Sequence, residues 1–217
     1  PDICQQVMEA LIWEKRVVAN DVWARVRKQY EANKLSFARA TMNYLPENQT
    51  PSGKDLDAVN DRTAQTLAKP PAAWFNSRMG RELLALAVQR AASNDPGFAA
   101  GRLEDMQGKL QDNERQWAWS QIGLHAAKRH MPEALKWFAR AGALSDEAAQ
   151  WKVRAALRAG EWIIVQTTIE GMAPALAGRP EWLYWLGRAY KAAGRAAEAN
   201  ALFRKIAGQA NFYANLA

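Results

Sequence analysis

The chain has 217 residues, 49% hydrophobic and 24% charged, with 13 Gly and 9 Pro; this ordinary globular usage excludes a disulfide miniprotein, a fibrous repeat and a disordered tail. Lys and Arg number 29 against 22 Asp and Glu, a formal charge of +7, and the pI is near 9.7, which favours contact with something anionic or else is a solubilising surface excess. No apolar run approaches the roughly 18 to 20 residues of a membrane span, since the greasiest stretch, Trp162-Ile163-Ile164-Val165, breaks after a few positions.

The amino end, Pro1-Asp2-Ile3-Cys4, lacks the basic and apolar regions of a signal peptide and reads as the start of an internal fragment. Cys4 is the single cysteine. It is either a small buried hydrophobe or half of a bridge to a residue outside the chain. The first helix carries Cys4, Val7, Met8, Leu11 and Ile12 on one stripe, at offsets of three, four, seven and eight.

The same period predicts helices at 20 to 33 (Val22, Trp23, Val26, Tyr30), 35 to 44 and 55 to 68, then 76 to 93 (Met79, Leu83, Leu84, Leu86, Ala87), 98 to 110 and 114 to 129. Others follow at 132 to 142, 146 to 159, 161 to 173, 181 to 193, 196 to 208 and from 210 onward. Pro132 and Pro180 suit a first helical turn, Ser145 suits an N-cap, and Gly160 and Gly194 suit helix ends. The β-branched run Ile163 to Ile169 is read as helix, because Trp162, Val165 and Ile169 share a face and packing overrides a weak propensity. In 43 to 74, Pro46, Pro51, Gly53, Pro70 and Pro71 bracket one polar helix, marking a long connection or elbow.

Gly160 and Gly194 lie 34 positions apart, each between an Ala-rich helix end and a further amphipathic helix. Leu186-Gly187, Tyr190, Gly194, Ala199 and Phe203 have the spacing of a tetratricopeptide-like hairpin. Trp119, Ile122-Gly123, Ala134, Phe138 and Ala141 repeat it with one residue fewer. The expectation is an all-α fold of stacked antiparallel hairpins forming a right-handed superhelix, one domain over 1 to 217, with the clearest repeats at 114 to 208.

At the carboxyl end, the series Val153-Arg154-Ala155-Ala156-Leu157-Arg158-Ala159-Gly160, Glu181-Trp182-Leu183-Tyr184-Trp185, Gly194-Arg195-Ala196-Ala197-Glu198-Ala199 and Asn211-Phe212-Tyr213 resembles the α-superhelical region of the soluble lytic murein transglycosylases. The match is strong over 151 to 217 and weaker but collinear before it. The resemblance implies a lysozyme-like catalytic domain after residue 217 and a parent enzyme of the periplasm, with outer-membrane association left open. That parent cleaves the β-1,4 bond between N-acetylmuramic acid and N-acetylglucosamine, leaving 1,6-anhydro ends, and its partners would be glycan strands and other cell-wall enzymes. It also implies a bridge from Cys4 to a cysteine upstream of Pro1. The family's catalytic Glu-Ser and its Gly-Leu-Met-Gln stretch have no counterpart here, so the resemblance assigns no catalytic residue to this chain.

The residues themselves agree. Glu9, Glu104, Asp105 and Glu133 sit on polar faces and read as solvated surface. His125 and His130 are about 140° apart around a helix and cannot chelate one metal from one face. Asp55-Leu56-Asp57 with Asn60-Asp61 lacks the central Gly and closing Glu of a calcium loop. Gly97 to Gly101 is followed by Arg102-Leu103 instead of Lys-Ser/Thr, so it makes no phosphate cradle. Trp117 and Trp119 cannot share a helix face, so one of them meets solvent or a neighbouring domain, whereas Trp182 and Trp185 read as core. No cofactor or metal is expected. The rival readings are a protein-binding helical-repeat module and a nucleic-acid-binding domain; Lys and Arg scattered over all the helices argue against the second.

Overall fold

Leu83 to Val88 are consecutive and all fully buried, which a helix with one apolar stripe does not allow; the helix that carries them is enclosed on every side. A computed structural model describes residues 6–7, 10–12, 14, 16–208 and 212–217. These are all-α, with short 3-10 turns and no strand among the described residues. Of the first predicted helix, Val7, Leu11 and Ile12 are helical, while Cys4 and Met8 lie outside the described residues. The chain divides into two units, Pro1–Ile122 and Gly123–Ala217.

The first unit runs through α1 (Ala19–Glu31), α2 (Leu35–Met42), α3 (Gly53–Asn60), α4 (Thr63–Ala68), the enclosed α5 (Arg78–Asn94), α6 (Pro96–Met106) and the start of α7 (Asp112–Lys128). Three 3-10 turns, Glu47–Gln49, Ala72–Asn76 and Gln107–Lys109, punctuate it. Helices α1, α3, α4 and α6 all pack on α5. Its N-cap is Ser77, whose hydroxyl accepts the Gly80 N–H at 3.1 Å. The turn Ala72–Asn76 lies so close that a Cβ on Gly80 would stand 2.2 Å from the Trp74 Cα and 2.3 Å from its carbonyl oxygen.

One helix was expected over 55 to 68, but the structure breaks it after Asn60. Side-chain hydroxyls take the carbonyls that continued helix would have used: Thr63 Oγ1 donates to the Val59 carbonyl at 2.6 Å and Thr66 Oγ1 to that of Ala58 at 2.8 Å. Leu45, Leu56, Val59, Leu67 and Trp74, all from the proline-bracketed stretch, are buried.

The second unit continues with the end of α7, then α8 (Ala134–Phe138), α9 (Asp146–Ala159), α10 (Trp162–Glu170), α11 (Pro174–Ala177), α12 (Pro180–Ala192), α13 (Ala196–Ile206) and α14 (Phe212–Leu216). Ser145 caps α9, accepting the Ala148 N–H at 3.3 Å, and Pro180 is the first residue of α12. Pro132 departs from expectation: α8 starts two residues later, because His130 takes a left-handed conformation (φ 59°) and the chain turns before the helix begins. Gly160 and Gly194 are left-handed at φ 73° and 76°, the conformation that ends a helix at least cost when no Cβ is present.

The two expected hairpins share one contact. A Cβ on Gly123 would stand 2.7 Å from the Phe138 ring, and a Cβ on Gly187 would stand 2.5 Å from that of Phe203. In each, a glycine on the longer helix receives an aromatic ring from the helix that follows. The β-branched segment is helical, and Thr167 Oγ1 donates to the Ile163 carbonyl at 2.9 Å.

Candidate functional site

Helical spacing gathers the second unit's aromatic and charged side chains around a groove of about 370 Å³, within the roughly 300–1,000 Å³ range of small-ligand sites. Trp151, Arg154 and Arg158 fall at intervals of three and four along one face of α9, Glu181 and Trp185 four apart on α12. Tyr213 comes from α14. Beneath them Trp182 is 2% exposed. Its indole N–H has no hydrogen-bond partner among the described residues.

Arg154 is held between two indoles, its guanidinium carbon 5.1 Å from the Trp151 ring centroid and 5.2 Å from that of Trp182. Such stacking desolvates a guanidinium without satisfying its N–H groups. Arg158 donates to the Ala127 carbonyl at 3.0 Å, capping the last turn of α7. Tyr184 organises the floor: its ring lies 5.2 Å from Trp185, 5.8 Å from Phe203 and 5.7 Å from Tyr213. Of the nine tryptophans within the described residues, Trp23, Trp74, Trp119, Trp137 and Trp182 are buried, and Trp117, Trp151, Trp162 and Trp185 are half-buried. An arginine lies over Trp117, Trp151 and Trp162. Trp185 carries none.

In the first unit the buried carboxylates have partners. Glu82 on α5, with its side chain 1% exposed, meets Arg27 of α1 at 2.8 Å, and the equally buried Glu114 meets Arg81 at 3.3 Å. Burial pushes the Glu82 carboxyl above its usual range, against the pull of Arg27. Arg27 also lies 5.1 Å from the Trp117 ring centroid, and the Trp117 indole N–H donates to Glu31 Oε1 at 2.7 Å. A second hollow in the second unit, about 260 Å³, holds Lys152, whose burial lowers its pKa, and the Thr168 hydroxyl, which is buried without a hydrogen-bond partner among the described residues.

No protein-family model and no curated protein matches the chain. Solved structures do. The whole chain superposes on part of an inactive mutant of the lytic transglycosylase Slt from Pseudomonas aeruginosa, with a TM-score of 0.62 and 26% identity. The chain resembles the soluble lytic transglycosylase family. A 70-kDa soluble lytic transglycosylase in complex with bulgecin A shares the fold, with a TM-score of 0.57 and 19% identity over 98% of the chain. The chain spans about a third of each, 36% of the first and 35% of the second.

In this lytic transglycosylase-like chain, the residues carrying the sequence resemblance include the groove's Arg154, Arg158, Glu181, Trp182, Trp185 and Tyr213. Of the Phe-Tyr pair, Phe212 is 68% exposed, while Tyr213 packs on Tyr184. Trp182 is core, as its spacing suggested, but Trp185 is half-buried and faces the groove. Trp119 is buried; Trp117 is half-buried, with Arg27 over its ring and its indole N–H on Glu31.

The remaining candidates are not brought together. Glu104, Asp105 and Glu133 are exposed, with Asp105 paired to Arg102 at 3.0 Å, and Glu9 lies outside the described residues. Asp55 closes a capping box with Ser52, and Asn60 accepts from the Tyr30 hydroxyl at 3.2 Å, so that stretch serves a helix start and a side-chain anchor. Gly97 belongs to the first turn of α6, where Asp95 takes the Phe98 N–H at 2.9 Å. His125 is half-buried near the end of α7. Desolvation, with Lys128 and Arg129 adding to it against Glu147, lowers its pKa to about 4. His130 is exposed and borders the groove.

Spacing alone did not reveal Arg154, Glu181 and Trp185 as one site. The available signal was that two helices 34 residues apart in the repeat each carry a tryptophan and a charged residue on the same face.

Proposed function

We propose that this chain is the α-superhelical scaffold of a periplasmic peptidoglycan lytic transglycosylase. In this reading it is one domain whose clearest repeats lie at 114 to 208, and it carries a lysozyme-like catalytic domain beyond residue 217. The parent enzyme cuts the β-1,4 bond between N-acetylmuramic acid and N-acetylglucosamine by intramolecular transfer, leaving 1,6-anhydro ends. The observation carrying the reading is the likeness to the Pseudomonas enzyme over 100% of the chain at 26% identity.

Glycosidic cleavage needs a carboxylic acid held protonated within reach of the scissile oxygen. The fully buried carboxylates, Glu82 and Glu114, face Arg27 and Arg81, and neither lines the groove. The segment therefore acts in binding and in holding the catalytic domain.

Purified chain, and a longer enzyme containing it, would each be incubated with murein sacculi and the products read by mass spectrometry. The expected result is 1,6-anhydromuropeptides from the longer enzyme and none from the chain. Anhydro products from the chain alone would move the active site into it. Products with reducing ends only, or none from the longer enzyme, would end the transglycosylase reading.

A further inference from the structure

We infer that the groove of the second unit binds a carboxylate-bearing sugar, with Arg154 and Arg158 taking the carboxylate, Trp185 stacking on the pyranose ring and Glu181 accepting its hydroxyls. Naming the sugar as a muramic acid residue rests on the proposed function; the chemistry rests on the groove.

Four features of the groove converge. Arg154 is stacked between Trp151 and Trp182, and among the described residues its guanidinium makes no hydrogen bond or ion pair. A guanidinium fixed in a plane and stripped of part of its hydration, with its N–H groups unsatisfied, is prepared for the two oxygens of a carboxylate. Arg158 lies one turn along the same face and uses one Nη on the Ala127 carbonyl, which leaves its other donors available.

Glu181 likewise has no ion pair or hydrogen bond among the described residues. Two arginines and one glutamate in a single groove, unpaired with one another, leave donors for an anion and an acceptor for hydroxyls. Trp185 is a half-buried indole with no guanidinium across it, and its edge contact with Tyr184 at 5.2 Å holds the ring in place. An aromatic face flanked by hydrogen-bonding groups suits the C–H face of a pyranose, whose hydroxyls radiate from the rim. A free phosphate would satisfy the arginines but has no ring to cover Trp185 and no ring hydroxyls to donate to Glu181.

A minimal pair tests the assignment. N-acetylmuramic acid and N-acetylglucosamine differ by the lactyl ether that carries the carboxylate. Each would be titrated into the 217-residue chain, following indole fluorescence and ligand-observed NMR, with an Ala-Glu dipeptide as the peptide control. N-acetylmuramic acid is expected to bind about tenfold more tightly than N-acetylglucosamine, the effect of one charge-assisted pair. Arg154→Gln should abolish that preference, Arg154→Lys should retain part of it, and Trp185→Ala should weaken both sugars together.

If Arg154→Gln fails to fold by circular dichroism, Arg158→Gln serves in its place and should narrow the preference. Equal binding of the two sugars, no saturable binding of either, or a dipeptide that binds as well as N-acetylmuramic acid would overturn the site. A longer enzyme active on sacculi with no sugar binding by the groove would sink this inference alone. Carboxylate-selective binding with an inert longer enzyme would sink the proposed function and leave the groove standing.

Discussion

The two units use the same helical building blocks, and the buried charges of the first are treated in the opposite way to the groove charges of the second. In Pro1–Ile122, Arg27 and Glu82, and Arg81 and Glu114, meet across helices at nearly complete burial. In Gly123–Ala217, Arg154 and Glu181 sit on an aromatic floor without such partners. A buried charge must be compensated where it stands or the fold loses several kcal/mol, so the first arrangement is structural. A charge at the lip of a groove keeps part of its hydration until a ligand replaces it, and the second arrangement is available for binding.

The largest expected effect breaks the first arrangement. Glu82→Leu leaves Arg27 facing a nonpolar cavity and should lower the unfolding free energy by about 3–5 kcal/mol in urea titrations. Adding Arg27→Met should recover most of that, because a well-packed apolar pair replaces the ionic one. A double variant no more stable than the single one would show that the ion pair is not what holds α1 on α5.

Close packing gives the next contrast. Gly80→Ala sets a methyl against the Trp74 backbone, which cannot rotate away, and should cost about 3 kcal/mol. Gly187→Ala meets the ring of Phe203, a side chain able to tilt, and should cost about 1–2 kcal/mol. Equal thermal shifts for the two would refute the distinction between backbone and side-chain obstruction.

Proton linkage separates the two regions further. With the folded His125 titrating at about 4, the unfolded chain takes up the proton first as pH falls from the ordinary value near 6.5. Stability should therefore be unaffected above that pH and fall by about 1.4 kcal/mol per pH unit between 6.5 and 4. The difference between the parent chain and His125→Leu, measured by denaturation across that window, isolates the slope; a flat difference would place His125 in water. Glu82 acts in the opposite sense. Its raised carboxyl pKa makes its burial least costly below the ordinary carboxylate range and adds a penalty as pH rises through the folded value.

The smallest expected effect is a gain. Gly101 lies within α6, where an added Cβ would meet nothing within 4 Å, so Gly101→Ala should stabilise by about 0.5–1 kcal/mol. A loss in the denaturation midpoint would mean that α6 needs glycine for another reason.

Local punctuation was readable at most positions where one residue carried the whole effect, Pro132 excepted. Ser145 accepts its amide, Pro180 starts α12, and Gly160 and Gly194 are left-handed, each because its own backbone or side chain meets the requirement. The break after Asn60 was not readable, since it depends on Thr63 and Thr66 finding carbonyls that continued helix would also have offered. Trp182 and Trp185 look equivalent in a helical pattern. Which is buried depends on the neighbours: Trp182 packs in the core with Val153 and Leu186, while Trp185 remains at the groove.

From its sequence alone, this protein is all-α, built of helix hairpins, and similar at its carboxyl end to the lytic transglycosylase superhelix. The helical class and its boundaries follow from period and caps, which act within a few residues of one another, and the likeness rests on the residue series at the carboxyl end. Only the tertiary structure decided which charges are compensated and which are free, because Glu82 meets a partner 55 positions away on another helix, whereas Arg154 and Glu181, on packed helices, meet none among the described residues. Electrostatic pairing depends on distance in space and on shared burial, and neither is encoded in the spacing along one helix.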